Sequence, residues 1–163
     1  MSSNITLMGK NYVIQLIQRP TDYLADEIVN LVRLLSPEWF TPDVPEDTRR
    51  DLLFQDAFYL RRDDNLLLSC LVFTCWDGSL NITLFATHPD YRGQGWGSIL
   101  MHHFANYARQ IGFRQIVVLT VPPDTKPVYQ ATLQFYEKHS FVLTKRIENL
   151  WGSGTLKLVK TLE

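Results

Sequence analysis

The chain is poor in cysteine, in charge of one sign and in long apolar runs. Its two cysteines, Cys70 and Cys75, lie in one apolar stretch without a C-x-x-C spacing. That pair supports neither a disulfide framework nor a paired-thiol metal site, and a reduced, cytoplasmic setting is expected. Both thiols fall in a stretch that reads as a buried strand, with no His-Asp context beside them, so they are expected to be structural filler. With 16 Lys+Arg against 17 Asp+Glu, the formal net charge is −1. No global field draws such a chain to DNA, RNA or an anionic membrane, and neither nucleic acid nor membrane is expected as a partner. No segment reaches the roughly 20 apolar residues needed to span a bilayer. Met1 to Lys10 lacks a basic stretch followed by a sustained apolar one, so no export signal is read there. The four histidines show no ligand spacing: His102 and His103 are helix neighbours pointing about 100° apart, and His88 and His139 flank loops. No metal site is expected. Internal repeats, low-complexity blocks and linkers are absent too, so residues 1–163 read as a single domain.

What is present is an ordinary globular composition, 45% hydrophobic and 20% charged. Tyr12 to Gln18 alternates and predicts a strand. Pro20 breaks it, and Thr21 or Asp22 can cap a helix whose stripe is Leu24, Ile28, Leu31, Val32 and Leu35. A loop with Pro37, Pro42 and Pro45 follows, then a short helix over Glu46 to Gln55. Phe58 to Arg62 and Leu66 to Trp76 predict neighbouring strands around Asp63-Asp64-Asn65, the second apolar enough to be buried on both faces. Asp77-Gly78 is a two-residue hairpin signal. Leu80 to Thr87 is the next strand, with Leu80, Ile82, Leu84 and Ala86 on one face and Asn81, Thr83, Phe85 and Thr87 on the other. Leu100, Phe104, Tyr107, Ala108 and Ile111 mark a helix stopped by Gly112. Gln115 to Val121 is a strand closed by Pro122 and Pro123. Asp124 or Thr125 caps a helix running to about His139, with Pro127 in its first turn. Phe141 to Ile147 and Thr155 to Thr161 end the chain as strands, separated by a turn around Gly152 and Gly154. The expected fold class is therefore α/β (α+β): a mixed sheet of about seven strands with about four helices on its faces.

Arg92-Gly93-Gln94-Gly95-Trp96-Gly97-Ser98 sits between a strand and an amphipathic helix. Glycines allow positive φ and close backbone approach, and the first N–H groups of a helix have no intrahelical partners. Together they suit a pyrophosphate. A P-loop would need Gly-Lys-Ser/Thr, and no lysine is there. A dinucleotide fingerprint would need G-x-G-x-x-G in an opening βαβ unit, whereas the spacing here is G-x-G-x-G in mid-chain. Arg92, Gly95 and Gly97 satisfy R-x-x-G-x-G instead.

The run His88 to Gly97 resembles motif A of the GNAT N-acetyltransferases, and the element order from Tyr12 to Leu162 is similar to that fold. Tyr129 to Phe141 resembles the family's later motif, N-x-x-A-x-x-L-Y-x-x-x-G-F. Phe135-Tyr136 and Phe141 match it, while Tyr129 replaces an asparagine, Thr132 an alanine and Ser140 a glycine. The resemblance implies a mostly antiparallel sheet splayed between its fourth and fifth strands. It implies an acetyl-coenzyme A-dependent acyltransferase acting on a primary amine of a small molecule or peptide, with no metal. The coenzyme would lie in the splay, its pyrophosphate on the backbone of Arg92, Gly93, Gln94, Gly95, Trp96, Gly97 and Ser98. Its pantetheine would pair with Phe85, Ala86 and Thr87, and Tyr129 would be a further contact. Tyr136 would be the general acid that protonates the departing thiolate. Some relatives carry a general-base glutamate where Asn81 stands; Asn81 either orients a water or is a polar residue on the wet half of a strand. Trp39 and Phe40 either touch the acceptor or pack the loop onto the core. Trp151 falls in the last hairpin, near the same cleft or at a dimer contact. Family habit suggests a homodimer. The alternative is a non-catalytic acyl-coenzyme A-binding regulatory module on the same fold.

Overall fold

Residues 5–9 and 11–163 are described by the structure, a computed structural model. Of Met1 to Lys10, read above for an export signal, residues 1–4 and 10 lie outside the described residues. Hydrogen-bonded strand neighbours run β1-β2-β3-β4-β5-β6-β8-β7. The strands are β1 (Ile5–Met8), β2 (Tyr12–Ile17), β3 (Asp56–Arg62), β4 (Leu67–Trp76), β5 (Ser79–Thr87), β6 (Gln115–Thr120), β7 (Val142–Ile147) and β8 (Thr155–Thr161). The helices are α1 (Asp22–Leu34), α2 (Val44–Asp51), α3 (Trp96–Gln110) and α4 (Tyr129–Lys138). The sheet is open and mixed, with eight strands where the sequence suggested about seven. The addition is β1, which pairs antiparallel with β2 from Ile5↔Leu16 to Met8↔Val13.

The chain forms two compact units. The first takes in the described residues through Thr74 together with Leu84–Leu100. In it β2, β3 and β4 form an antiparallel ladder. One face of that ladder is covered by α1 through Ala25, Ile28, Leu31 and Val32, joined by Leu35, Leu52, Ala57, Tyr59, Leu67, Cys70, Val72, Leu84 and Ala86 in one buried cluster. β4 is buried from Leu67 to Phe73, as its unbroken apolar run demands. It then emerges, so Cys70 is buried but Cys75 is exposed. That corrects the expectation that both thiols are enclosed: the strand outruns the core by three residues. α2 begins two residues before the expected Glu46 and ends at Asp51, with Pro45 in its first turn, where a missing N–H costs nothing. It is tied to α1 by Arg33 to Glu46 and Arg49 to Asp26, each at 2.8 Å.

The second unit comprises Cys75–Thr83 and Met101–Glu163. Asp77 and Gly78 take φ of 51° and 74°, as a tight two-residue hairpin requires. The parallel β5–β6 ladder has three pairs, Leu80↔Ile116 to Ile82↔Val118, although β5 runs on to Thr87 and β6 to Thr120. That short ladder is the splay. β8 pairs antiparallel with both β6 and β7. Helix α3 closes on Gly112 (φ 94°), whose N–H donates to the Arg109 carbonyl while that of Phe113 donates to Ala108. Helix α4 starts at Tyr129, not near Asp124. Thr125 Oγ1 turns back onto the Pro122 carbonyl at 2.9 Å, and Pro127 biases Lys126 away from helical geometry.

Candidate active site

In the first unit, β5 ends at Thr87 and the chain turns through a short 3₁₀ segment, Pro89–Tyr91. The His88 Nδ1 atom accepts the Asp90 N–H at 3.3 Å and starts that turn. Arg92 is extended; Gly93 and Gly95 then take φ of 75° and 89°, in the left-handed region that glycine alone enters freely. A Cβ built on either would meet nothing within 4 Å, so both face open space. α3 starts at once: the Ile99 N–H donates to the Gly95 carbonyl, and Trp96 and Gly97 open the first turn. The outcome is a turn with two left-handed glycines at the positive end of a helix, a setting that suits a phosphate.

The flanks of this turn are held by aromatic contacts. The Arg62 guanidinium lies 4.9 Å from the Tyr91 ring, and His88 meets Tyr91 at 5.1 Å. Arg92 lies over the Trp39 ring at 3.8 Å. Trp96 meets Tyr12 edge-on at 6.2 Å, and its Nε1 donates to Gln94 Oε1 at 3.4 Å. Partial burial of Arg92 lowers the pKa of its guanidinium, and the field of Glu38 opposes that. Trp39 and Phe40 are half-buried and pack against the core cluster.

At the end of β5, the Ser69 hydroxyl donates to the Ala86 carbonyl at 3.2 Å and meets Thr87 Oγ1 at 3.0 Å. The His88 N–H donates to the Leu68 carbonyl. Ala86 and His88 therefore direct their main-chain groups toward β4. By strand alternation Phe85 and Thr87 direct theirs to the opposite edge. Of the three residues expected to pair with a pantetheine, Ala86 is thus a spacer in register with β4.

The second unit carries the remaining candidates. Tyr136 and Tyr129 are 4% and 7% exposed, two helical turns apart on one face of α4. Tyr136 packs edge-on against Phe135 at 5.5 Å and Phe141 at 5.2 Å. Burial pushes the Tyr129 phenol up to about 12. Burial, with a smaller contribution from Tyr129, raises that of Tyr136 further. Both phenols hold their protons at neutral pH. The side-chain Nδ2 of Asn81 donates to the carbonyls of Ser79 at 3.1 Å and Trp76 at 3.4 Å, bracing the hairpin. Trp151 is half-exposed in the β7–β8 turn. In the first unit, Cys70 is enclosed and burial raises its thiol to about 12, which removes it as a nucleophile. Among the described residues no three His, Cys, Asp or Glu side chains gather into a group able to hold a metal ion.

Sequence reasoning missed Ser69 and Tyr12. Ser69 carried a signal, since a lone hydroxyl in a buried apolar run must find an acceptor. Tyr12 carried none, because its contact with Trp96 joins distant parts of the chain.

Comparison with known proteins matches this architecture to one family. The model of the Acetyltransferase (GNAT) family matches residues 26–141. An amino-acid acetyltransferase of Yersinia enterocolitica is 28% identical over 54% of this chain and 24% of its own length. The chain thus spans about a quarter of the curated relatives it matches. A GNAT-family acetyltransferase from Desulfovibrio desulfuricans superposes with a TM-score of 0.78 at 16% identity, covering 93% of this chain and 99% of that one. A GNAT acetyltransferase from Elizabethkingia anophelis, solved with acetyl-CoA bound, gives 0.72 at 18% identity, over 94% and 100%. With the motif-bearing strand, turn and helix inside the matched region, the chain belongs to the GNAT acetyltransferase family.

Proposed function

We propose that the chain transfers an acetyl group from acetyl-coenzyme A to an amine. The observation that carries this reading is the turn at Gly93 and Gly95, left-handed, open to space and placed at the start of α3. A diphosphate suits it: the first N–H groups of a helix have no intrahelical partners, and a Cβ built at Gly93 or Gly95 meets nothing within 4 Å. The coenzyme supplies a thioester, whose acyl carbon bonds to the amine nitrogen as the carbon–sulfur bond breaks.

The residues of this chain bind, orient and manage protons. The backbone from Arg92 to Ser98 holds the diphosphate. Phe85 and Thr87, whose main-chain groups face away from β4, hold pantetheine amides. Tyr136 keeps its proton at neutral pH and gives it to the leaving thiolate, while the amine loses its own proton to solvent. Rate then comes mainly from positioning. The acceptor class we favour is an amino acid, because the Yersinia relative is named an amino-acid acetyltransferase.

Calorimetry with acetyl-CoA, followed by transfer assays on a panel of amino acids and other amines, tests the proposal. Gly95→Glu places charge and bulk in the turn and should abolish coenzyme binding. Retained binding in that variant would remove the turn from the site. Tyr136→Phe should lower kcat on the order of 10²-fold with coenzyme affinity unchanged. Tight binding without transfer to any amine would favour a regulatory acyl-CoA-binding module, a reading to which the use of the Asn81 amide in bracing its hairpin lends weight.

A further inference from the structure

The glycine turn does little to hold its own shape. Gly93 and Gly95 have no neighbour where a side chain would begin, and the side-chain hydrogen bond from Trp96 to Gln94 is long at 3.4 Å. A segment with two glycines has many conformations to lose, and a ligand that must order it binds less tightly. Yet each flank ends in an aromatic contact from a different part of the first unit. Arg92 rests on Trp39, and Trp96 rests on Tyr12.

Both supports are themselves anchored. The Trp39 N–H donates to the Leu35 carbonyl at 2.9 Å, and the indole packs on the cluster beneath α1. Tyr12 is the first residue of β2 and pairs with Arg62, the residue that lies against Tyr91 on the same turn. The Gly9 N–H donates to the Tyr12 carbonyl at 2.9 Å, and a Cβ at Gly9 would clash with the Tyr12 ring. The Arg92 guanidinium lies over the indole face at 3.8 Å, within the field of Glu38. Stacking of this kind holds Arg92 through its side chain and takes no hydrogen bond from the backbone of the turn.

We propose that Trp39 and Tyr12 are positioning residues for the coenzyme, holding Arg92 and Trp96 so that the diphosphate meets a turn already shaped. This rests on the coenzyme-binding reading above, and it moves Trp39 from the acceptor side to the coenzyme side. Gly9 acts one step further out, by leaving room for the Tyr12 ring.

The test is calorimetric titration of wild type, Trp39→Leu, Trp39→Phe, Tyr12→Leu and Gly9→Ala with coenzyme A and, separately, with pantetheine, which lacks the diphosphate. Trp39→Leu and Tyr12→Leu should each weaken coenzyme A about tenfold. Gly9→Ala should show a smaller loss in the same direction, and Trp39→Phe should recover most of the loss by restoring a ring under Arg92. Pantetheine affinity should stay at the wild-type value throughout, which general damage to the fold would not allow. Equal coenzyme A affinity in wild type, Gly9→Ala and both Trp39 variants would overturn the proposal. Equal losses for coenzyme A and pantetheine would overturn it as well. Failure of wild type to bind coenzyme A is a different result: it removes the coenzyme reading, and this inference falls with it.

Discussion

The Phe141 N–H donates to the Tyr136 carbonyl at 3.0 Å, closing α4 over Ser140, whose φ is 66°. With the Ser140 N–H on the Glu137 carbonyl, this is a Schellman end built on a residue with a Cβ. The position is the one where the family motif carries glycine. Ser140→Gly should therefore stabilise the chain by about 0.5–1 kcal/mol, read as a raised Tm, because glycine enters that region without strain. A lowered Tm would show that the serine hydroxyl contributes more than the strain costs.

A second stability test concerns Glu27 and Arg61. Their side chains are 19% and 13% exposed and meet at 2.7 and 2.5 Å as a two-pronged pair joining α1 to β3. Removing one partner leaves a charge largely out of water. Glu27→Gln should cost about 2–3 kcal/mol and lower Tm by several degrees. Glu27→Met with Arg61→Leu should recover most of that, since an apolar pair strands no charge. A double variant no better than the single one would show that the pair itself, and not the stranded charge, governs stability.

Alkaline pH should unfold the chain through α4. Folding raises the Tyr129 phenol from its ordinary 10.0 to about 12, and burial raises Tyr136 as well. The native state therefore holds these protons more tightly than the unfolded one. Their contribution is complete below pH 10 and is lost as pH climbs from there through 12. Melting curves between pH 9 and 12 (~0.5-unit steps) should fall more steeply for wild type than for Tyr136→Phe. Parallel slopes would mean that Tyr136 ionises without opening the helix.

The cysteines offer a count. Cys75 is exposed near the end of β4, and Cys70 is fully enclosed with its thiol raised to about 12. A thiol-specific reagent at neutral pH should modify one cysteine quickly and the other only after denaturation, and Cys75→Ser should remove the fast phase. Two fast phases would show that β4 opens on the timescale of labelling.

Much of this architecture was legible in the residues because the signals are local. Alternation placed Leu80, Ile82, Leu84 and Ala86 inward along β5, and they are buried there. Asp77-Gly78 and Gly112 marked turns whose φ values only such residues take readily. β1 escaped notice because four residues are too few to establish a period. The start of α4 was misplaced because Asp124 and Thr125 look like caps, while Pro127, two residues on, decides against a helix there. The candidate site divides in the same way. The glycines were readable from composition and context. Their supports were not, since Trp39 under Arg92 and Tyr12 under Trp96 are tertiary contacts that no spacing rule encodes.

The empty space in front of Gly93 and Gly95 has a consequence for how such a sequence drifts. Asparagine tolerates left-handed backbone better than other side chains, and at either position its Cβ would meet no atom within 4 Å. A library sorted only for solubility should therefore accept asparagine at 93 and 95. The same library sorted for coenzyme retention should discard it, and the gap between the two outcomes would measure how far those glycines are kept by the guest instead of the host.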